Sequence, residues 1–122
     1  MNITFELVPN DRRRLLPLLL LADESEAIVE SYLDRGTLFA ILDGGTDIGV
    51  LLLIHEGDAV EVKNLALAEA ARGQGVGTLA VSFAATWARE VGVDRGSFDA
   101  YPEPIWEDGL RARDMLMFEL AL

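Results

Sequence analysis

Ala71 to Glu90 reads ARGQGVGTLAVSFAATWARE, and the start of that stretch decides how the chain folds. Arg72-Gly73-Gln74-Gly75-Val76-Gly77 sets three glycines among six residues, and then the pattern turns helical. Val76, Leu79, Ala80, Phe83, Ala84, Trp87, Ala88 and Val91 recur at spacings of three and four. That stripe predicts one helix from the glycines to about Val91, stopped by Gly92, with its apolar face laid on a sheet. Glycine at the mouth of a helix costs about 1 kcal/mol per position relative to alanine, so bare backbone must serve a purpose there. Uncapped N–H groups at a helix N-terminus attract an anion.

Upstream, Ile3, Phe5 and Leu7 alternate with Thr4 and Glu6, the period of a half-buried strand. Asn10 or Asp11 is expected to cap a helix that runs through the leucines and bends near Pro17. Asp23 or Ser25 is expected to cap a second helix, with Ile28, Val29, Tyr32 and Leu33 on one face and Arg35-Gly36 as its stop. Three strands joined by tight turns follow: Thr37 to Leu42, Asp47 to His55 and Ala59 to Leu67, an antiparallel meander. Beyond the glycine helix, Val93 to Gly109 carries Pro102 and Pro104 and resists assignment, and Leu110 to Leu120 reads as a closing strand. The whole, residues 1–122, reads as one α/β (α+β) domain in the order βααβββα, a loop, then β.

Composition bounds the function. The chain is 51% apolar, enough for a core, and has no cysteine, so disulfides and thiolate metal sites are out and a cytoplasmic setting is expected. A formal net charge of -11 repels phosphate backbones, which argues against nucleic acid and favours cationic partners such as amines. Arg12-Arg13-Arg14 before Leu15-Leu16-Pro17-Leu18-Leu19-Leu20-Leu21-Ala22 imitates a signal peptide. A strand-like segment precedes it, Asp23-Glu24 follows it, and it is too short to span a bilayer, so a buried helix is expected and no membrane association.

The glycines fit neither of two familiar phosphate loops. A P-loop requires Gly-Lys-Ser/Thr, and here Gly77-Thr78 comes without lysine. A dinucleotide fingerprint follows a parallel strand directly, whereas Ala68-Glu69-Ala70-Ala71 intervenes after a meander strand. The pattern Arg/Gln-x-x-Gly-x-Gly/Ala does fit, after Asn64-Leu65-Ala66-Leu67, and with it the chain resembles the GNAT superfamily of acyl-CoA-dependent N-acetyltransferases. Leu18 to Ser25 and the tail Tyr101 to Gly109, with Asp114-Met115, resemble one bacterial branch of that family, so the likeness covers nearly the whole chain. The gap is Gly92 to Ala100, too short for the further strand and helix that the family has there. A GNAT-like sheet, mostly antiparallel with helices on its faces and truncated in its C-terminal half, is therefore expected.

The resemblance implies acetyl-CoA as co-substrate, with Arg72, Gly73, Gln74, Gly75, Val76, Gly77 and Thr78 around the pyrophosphate. Leu65, Ala66 and Leu67 would offer backbone groups to pantetheine, though ordinary strand packing explains their side chains equally. Glu61 stands where some relatives carry a catalytic glutamate, and transfer to an amine needs a base; the plainer reading is a solvated strand residue beside Lys63. The family's leaving-group tyrosine lies on the missing helix, and nothing in this sequence maps onto it. His55 reads as a surface residue, Asp43, Asp47, Glu56 and Asp58 as turn residues and no metal site, Trp87 as core, and Trp106 as a pocket wall or sheet cover. The expected activity is acetyl transfer to a primary amine of a small molecule or peptide, by direct attack. A CoA-binding or interaction protein with reduced catalysis, or a plain structural partner, stands as the alternative. The gap leaves the strand Ala59 to Leu67 unsheltered, so a homodimer built on Leu110 to Leu120 is expected.

Overall fold

The computed structural model describes residues 1–92 and 119–121 of the 122-residue chain. Strand β1 (Ile3–Leu7) leads through a 3-10 turn (Arg12–Leu15) into helices α1 (Leu16–Ala22) and α2 (Glu26–Tyr32). Strands β2 (Thr37–Asp43), β3 (Thr46–Glu56) and β4 (Ala59–Leu67) form the meander, α3 (Val76–Glu90) follows, and β5 (Glu119–Ala121) ends the described chain. The five strands lie in sequence order in one sheet, and each described pair is antiparallel. The closing strand expected over Leu110 to Leu120 meets the described residues only at its end, where Glu119, Leu120 and Ala121 pair with Glu61, Val60 and Ala59. Val93 to Gly109, with Tyr101 and Trp106, and most of the tail lie outside the described residues.

Both faces of the sheet are covered, which explains the near-continuous apolar runs of β2 and β3. Phe39, Ile41, Leu51, Leu53, Val60, Val62, Leu65 and Leu67 meet α3 through Val76, Ala80, Val81, Ala84 and Ala88. Leu38, Ala40, Leu42, Val50, Leu52, Ile54 and Ala66 meet Leu15, Leu19, Ala22, Val29, Tyr32 and Leu33 on the opposite face. The small alanine row draws α3 close to the sheet, and Phe83 fills the flank, stacked on Phe5 at 4.4 Å and edge-on to Phe39 at 4.8 Å. Three positions expected on apolar faces turn outward: Leu7 is 54% exposed, Ile28 52% and Leu79 49%. Leu79 lies far round the helix from the alanine row, and Val81 is buried instead. The two-turn α2 reaches the sheet only through Val29, Tyr32 and Leu33.

The N-terminal helix divides where Pro17 withdraws an N–H from the helical ladder. Asp11 has φ 53° and no side-chain capping bond, so the expected cap does not form. Ser25 does cap α2, accepting the Ile28 N–H at 3.2 Å. The three arginines each do something different. Arg12 donates to the carbonyls of Val8, Leu33, Arg35 and Gly36 at 3.0–3.2 Å, closing the end of α2. Arg13 pairs with Glu30 at 2.6 Å and Arg14 with Asp47 at 2.7 Å.

Candidate functional site

Where β4 hands over to α3, backbone geometry replaces side chains. The Ala68 N–H still bonds Ile48 O at 2.8 Å, a 3-10 turn (Glu69–Ala71) follows, and Arg72 reaches back to donate from Nε to Leu67 O at 3.0 Å. Gln74 Nε2 donates to Ala70 O at 2.8 Å. These two bonds hold the loop against the end of the strand. Gly73 and Gly75 take φ of 74° and 83°, left-handed values natural only to glycine, and no atom of the described residues lies within 4 Å of where a Cβ would be. Gly75 is the N-cap of α3 and offers no side chain to it, and the first turn carries no acidic residue. The helix geometry leaves the N–H groups of Val76 and Gly77, both buried residues, without intrahelical acceptors directly after these open glycines. Such an array, with the positive end of the helix dipole behind it, fits a phosphate.

Strand β4 differs along its two edges. Its β3 side is paired throughout, and Gly49 is what lets β3 come so close: a Cβ there would stand 2.6 Å from Ala66 O. On the other side β5 covers only Ala59 to Glu61, so from Val62 to Leu67 that edge has no strand partner among the described residues.

The strand also changes phase partway. Leu52 opposes Asn64 but Leu53 opposes Val62, so Lys63 is an extra residue, a β-bulge. Val60 and Val62 point to α3, and after the bulge Leu65 and Leu67 do so again. Asn64 is thereby turned onto the same face as Glu61, away from the α3 face that strict alternation from Glu61 would give it. Glu61 is half-buried and lines a cavity of about 240 Å³ with Ile54, Glu56 and Ala59. These four are two cross-strand pairs, Ile54 with Glu61 and Glu56 with Ala59, at the free end of the β3–β4 hairpin.

Asn64 is the one buried polar or charged residue among those described. Its Nδ2 donates to Leu19 O at 3.1 Å and to Tyr32 Oη at 2.9 Å, while its buried Oδ1 has no hydrogen-bond partner among the described residues. An orphaned buried acceptor costs about 1–3 kcal/mol. Tyr32 Oη in turn donates to Asp23 Oδ2 at 3.3 Å, and Asp23 Oδ1 accepts the Ser25 N–H at 3.2 Å. Burial pushes the Tyr32 hydroxyl up to about 12, against a lowering by the Asn64 bond and with a smaller push from Asp23. Lys63 Nζ stands 5.3 Å from the Tyr32 ring centroid, a cation–π contact on this same face.

Residues 8–101 match the acetyltransferase (GNAT) family, most of the chain. The chain belongs to the GNAT acetyltransferase family. It is 29% identical to the uncharacterized N-acetyltransferase YvbK of Bacillus subtilis, over 99% of this chain and 97% of that protein. That alignment lays 99% of 122 residues over 151 positions, so roughly 30 positions of the relative have no counterpart here. The fold agrees with solved GNAT structures. An IAA acetyltransferase from Bacillus cereus superposes with TM-score 0.69 at 32% identity, over 75% of this chain and 61% of that one. A Bacillus subtilis acetyltransferase in complex with CoA gives 0.69 at 33%, over 75% and 61%. A GNAT acetyltransferase from Elizabethkingia anophelis with acetyl-CoA bound gives 0.67 at 30%, over 73% and 59%. This chain thus spans about three-fifths of the length of those solved structures.

Within this GNAT domain the expected site residues fall into two groups. Leu65, Ala66 and Leu67 end β4, and Arg72 to Thr78 run from it into α3, so these are contiguous in the fold, with Leu65, Ala66, Leu67, Val76 and Gly77 buried. Glu61 lies near the other end of the strand, about 17 Å from Leu67 along the chain, and on the face away from α3. His55 is exposed, with Nε2 at 3.1 Å from Gly57 O and its ring edge-on to Trp87, and no acid or serine among the described residues hydrogen-bonds to it. The turn acids are occupied: Asp47 by Arg14, Glu56 by Arg35 at 3.2 Å, and Asp43 by the Asn2 N–H at 3.0 Å. Sequence reasoning missed Asn64, Tyr32 and Asp23. One sign was present, the adjacent polar pair Lys63-Asn64 that breaks the alternation of Val60-Glu61-Val62 before Leu65.

Proposed function

We propose that this chain transfers the acetyl group of acetyl-CoA to a primary amine by direct attack. The observation that carries it is the mouth of α3, where glycines with φ of 74° and 83° precede Val76 and Gly77 N–H groups that lack intrahelical acceptors. That mouth stands at the end of a strand whose outer edge from Val62 to Leu67 has no strand partner among the described residues. Arg72, Gly73, Gln74, Gly75, Val76, Gly77 and Thr78 would hold the pyrophosphate, and the backbone of Leu65, Ala66 and Leu67 the pantetheine arm. Bound acetyl-CoA supplies an activated thioester. The amine nitrogen bonds to the acetyl carbonyl carbon, the carbon–sulfur bond breaks, and its electron pair leaves on the CoA sulfur, which takes a proton from water. The amine gives up its proton to Glu61, the base in this reading. The open cavity beside Glu61 and the net charge of -11 both suit an acceptor that arrives as a cation.

The reading includes a cytoplasmic location, which the absence of cysteine suits, one domain over the whole chain, and a homodimer. No helix among the described residues is long and apolar enough to cross a membrane. A CoA-binding protein with reduced catalysis is the second reading, favoured by the roughly 30 positions of YvbK that have no counterpart here. Calorimetry with CoA and thiol release from acetyl-CoA with amine acceptors separate the two. Acetyl transfer requires both binding and turnover, with turnover falling roughly 10²–10⁴-fold in Glu61→Gln while CoA binding survives. Binding without turnover selects the second reading, and absence of CoA binding refutes both.

A further inference from the structure

The buried Asn64 amide is fixed in one orientation. Both of its hydrogens are committed, to Leu19 O and Tyr32 Oη, and turning it over would set Oδ1 against the Leu19 carbonyl, acceptor to acceptor. Tyr32 is anchored by Asp23, and Asp23 by the Ser25 N–H, so the frame extends into the link between α1 and α2. Without the bulge at Lys63 the residue would lie on the α3 face among Val62 and Leu65. A bulge, a tyrosine and a helix carbonyl together aim one amide, and its oxygen has no partner among the described residues. A buried acceptor held in place and unused is a feature that asks for a donor.

We infer that Asn64 Oδ1 accepts a hydrogen bond from the nitrogen of the acceptor amine and aims it for attack, which rests on the acetyl-transfer reading above. A neutral primary amine carries two N–H donors beside its lone pair. One N–H is given to Asn64, the lone pair faces the thioester, and the proton shed after attack goes to Glu61 on the same face of β4. A carboxamide suits this task better than a carboxylate. It orients the nitrogen without adding a negative charge that would hold the amine as an unreactive ammonium. Leu19 and Tyr32 act through Asn64 as positioning groups.

The test uses n-butylamine, a primary amine with no other functional group. Asn64→Leu keeps the side-chain volume and removes the oxygen. It is expected to lower kcat/KM for n-butylamine by about tenfold or more while CoA affinity stays within about twofold of wild type. Tyr32→Phe keeps the ring and is expected to raise the n-butylamine KM and leave that of acetyl-CoA alone. A folded Asn64→Leu protein with unchanged kcat/KM overturns the inference, and the amide is then structural. Should Asn64→Leu fail to fold, the wild type decides: the Asn64 side-chain NH₂ resonances must shift when n-butylamine is titrated into CoA-saturated protein. No shift overturns the inference and leaves the CoA reading standing. Failure of CoA itself to bind removes the underlying function instead.

Discussion

Gly75→Asp puts a carboxylate where the proposed function puts a pyrophosphate, and the structure lets its effects be separated. Two costs arise. The first is conformational, because φ of 83° is a left-handed value that an L-residue adopts at about 1 kcal/mol or more. No atom lies within 4 Å of the new Cβ, so no clash is added. A loss of that size lowers Tm by roughly 3–6 °C in a domain of this length and leaves it folded. The second cost is electrostatic. Two unit charges about 5 Å apart repel by about 0.8 kcal/mol in water and about 3 kcal/mol at an effective dielectric near 20. Against two phosphate charges the total is roughly 2–6 kcal/mol, which weakens CoA binding by about 10- to 10⁴-fold. Gly44→Asp is the control, since Gly44 has φ of 58°, equally open surroundings and a place in the β2–β3 turn. It should lose similar stability and bind CoA like the wild type. Calorimetry at low and high salt completes the experiment, because the Gly75→Asp penalty should shrink as screening rises. If the two substituted proteins bind CoA within about threefold of each other, the mouth of α3 is not the phosphate site.

Three further outcomes follow from the same coordinates. Gly49→Ala drives a Cβ to 2.6 Å from Ala66 O and 2.8 Å from Leu67 Cδ2, so it should cost about 2–3 kcal/mol in urea unfolding; a loss under about 0.5 kcal/mol would mean that β3 and β4 are not so closely apposed. Arg12→Ala strips donors from four carbonyls and should cost about 2–3 kcal/mol, with Arg12→Lys recovering less than half because an ammonium lacks the planar fork. Burial raises the Tyr32 hydroxyl from its ordinary 10 to about 12, so the folded chain holds that proton where the unfolded chain has lost it. The stability gained is fully present below pH 10 and is lost on the order of 2 kcal/mol as pH rises to about 12, a slope that the urea midpoints of Tyr32→Phe should lack.

The order of elements was legible because each apolar period has a physical cause. Alternation in Ile3 and Phe5 reports a strand covered on one side, though Leu7 at its end is exposed, and the unbroken runs of β2 and β3 report strands covered on both. The mouth of α3 was legible for a similar reason, since only glycine takes the φ of Gly73 and Gly75 without strain. What stayed hidden depends on contacts between distant residues. Leu79 matches the helical spacing but is exposed, because the alanine row rather than the largest side chains sets which face meets the sheet. Tyr32 and Asn64 lie 32 residues apart and meet only once α2 is laid over β4. The step from Val62 to Leu65 carried a trace of the bulge, but Ala66 is apolar as well and blurs the alternation.

That extra residue makes β4 two strands with independent bookkeeping. Ahead of Lys63, Val60 and Val62 face α3 while Glu61 faces the hairpin cavity; behind it, Leu65 and Leu67 face α3 beside an edge with no strand partner among the described residues. Substitutions in the first segment can reshape the cavity around Glu61 without rotating Leu65 or Leu67 out of the α3 layer, because the phase is reset between them. Deleting Lys63 would do more than remove a cation: it would roll the tail of the strand half a turn about its own axis. Leu65 and Leu67 would then face α1 and α2, and Asn64 would be driven into an apolar layer with no donor or acceptor to meet it.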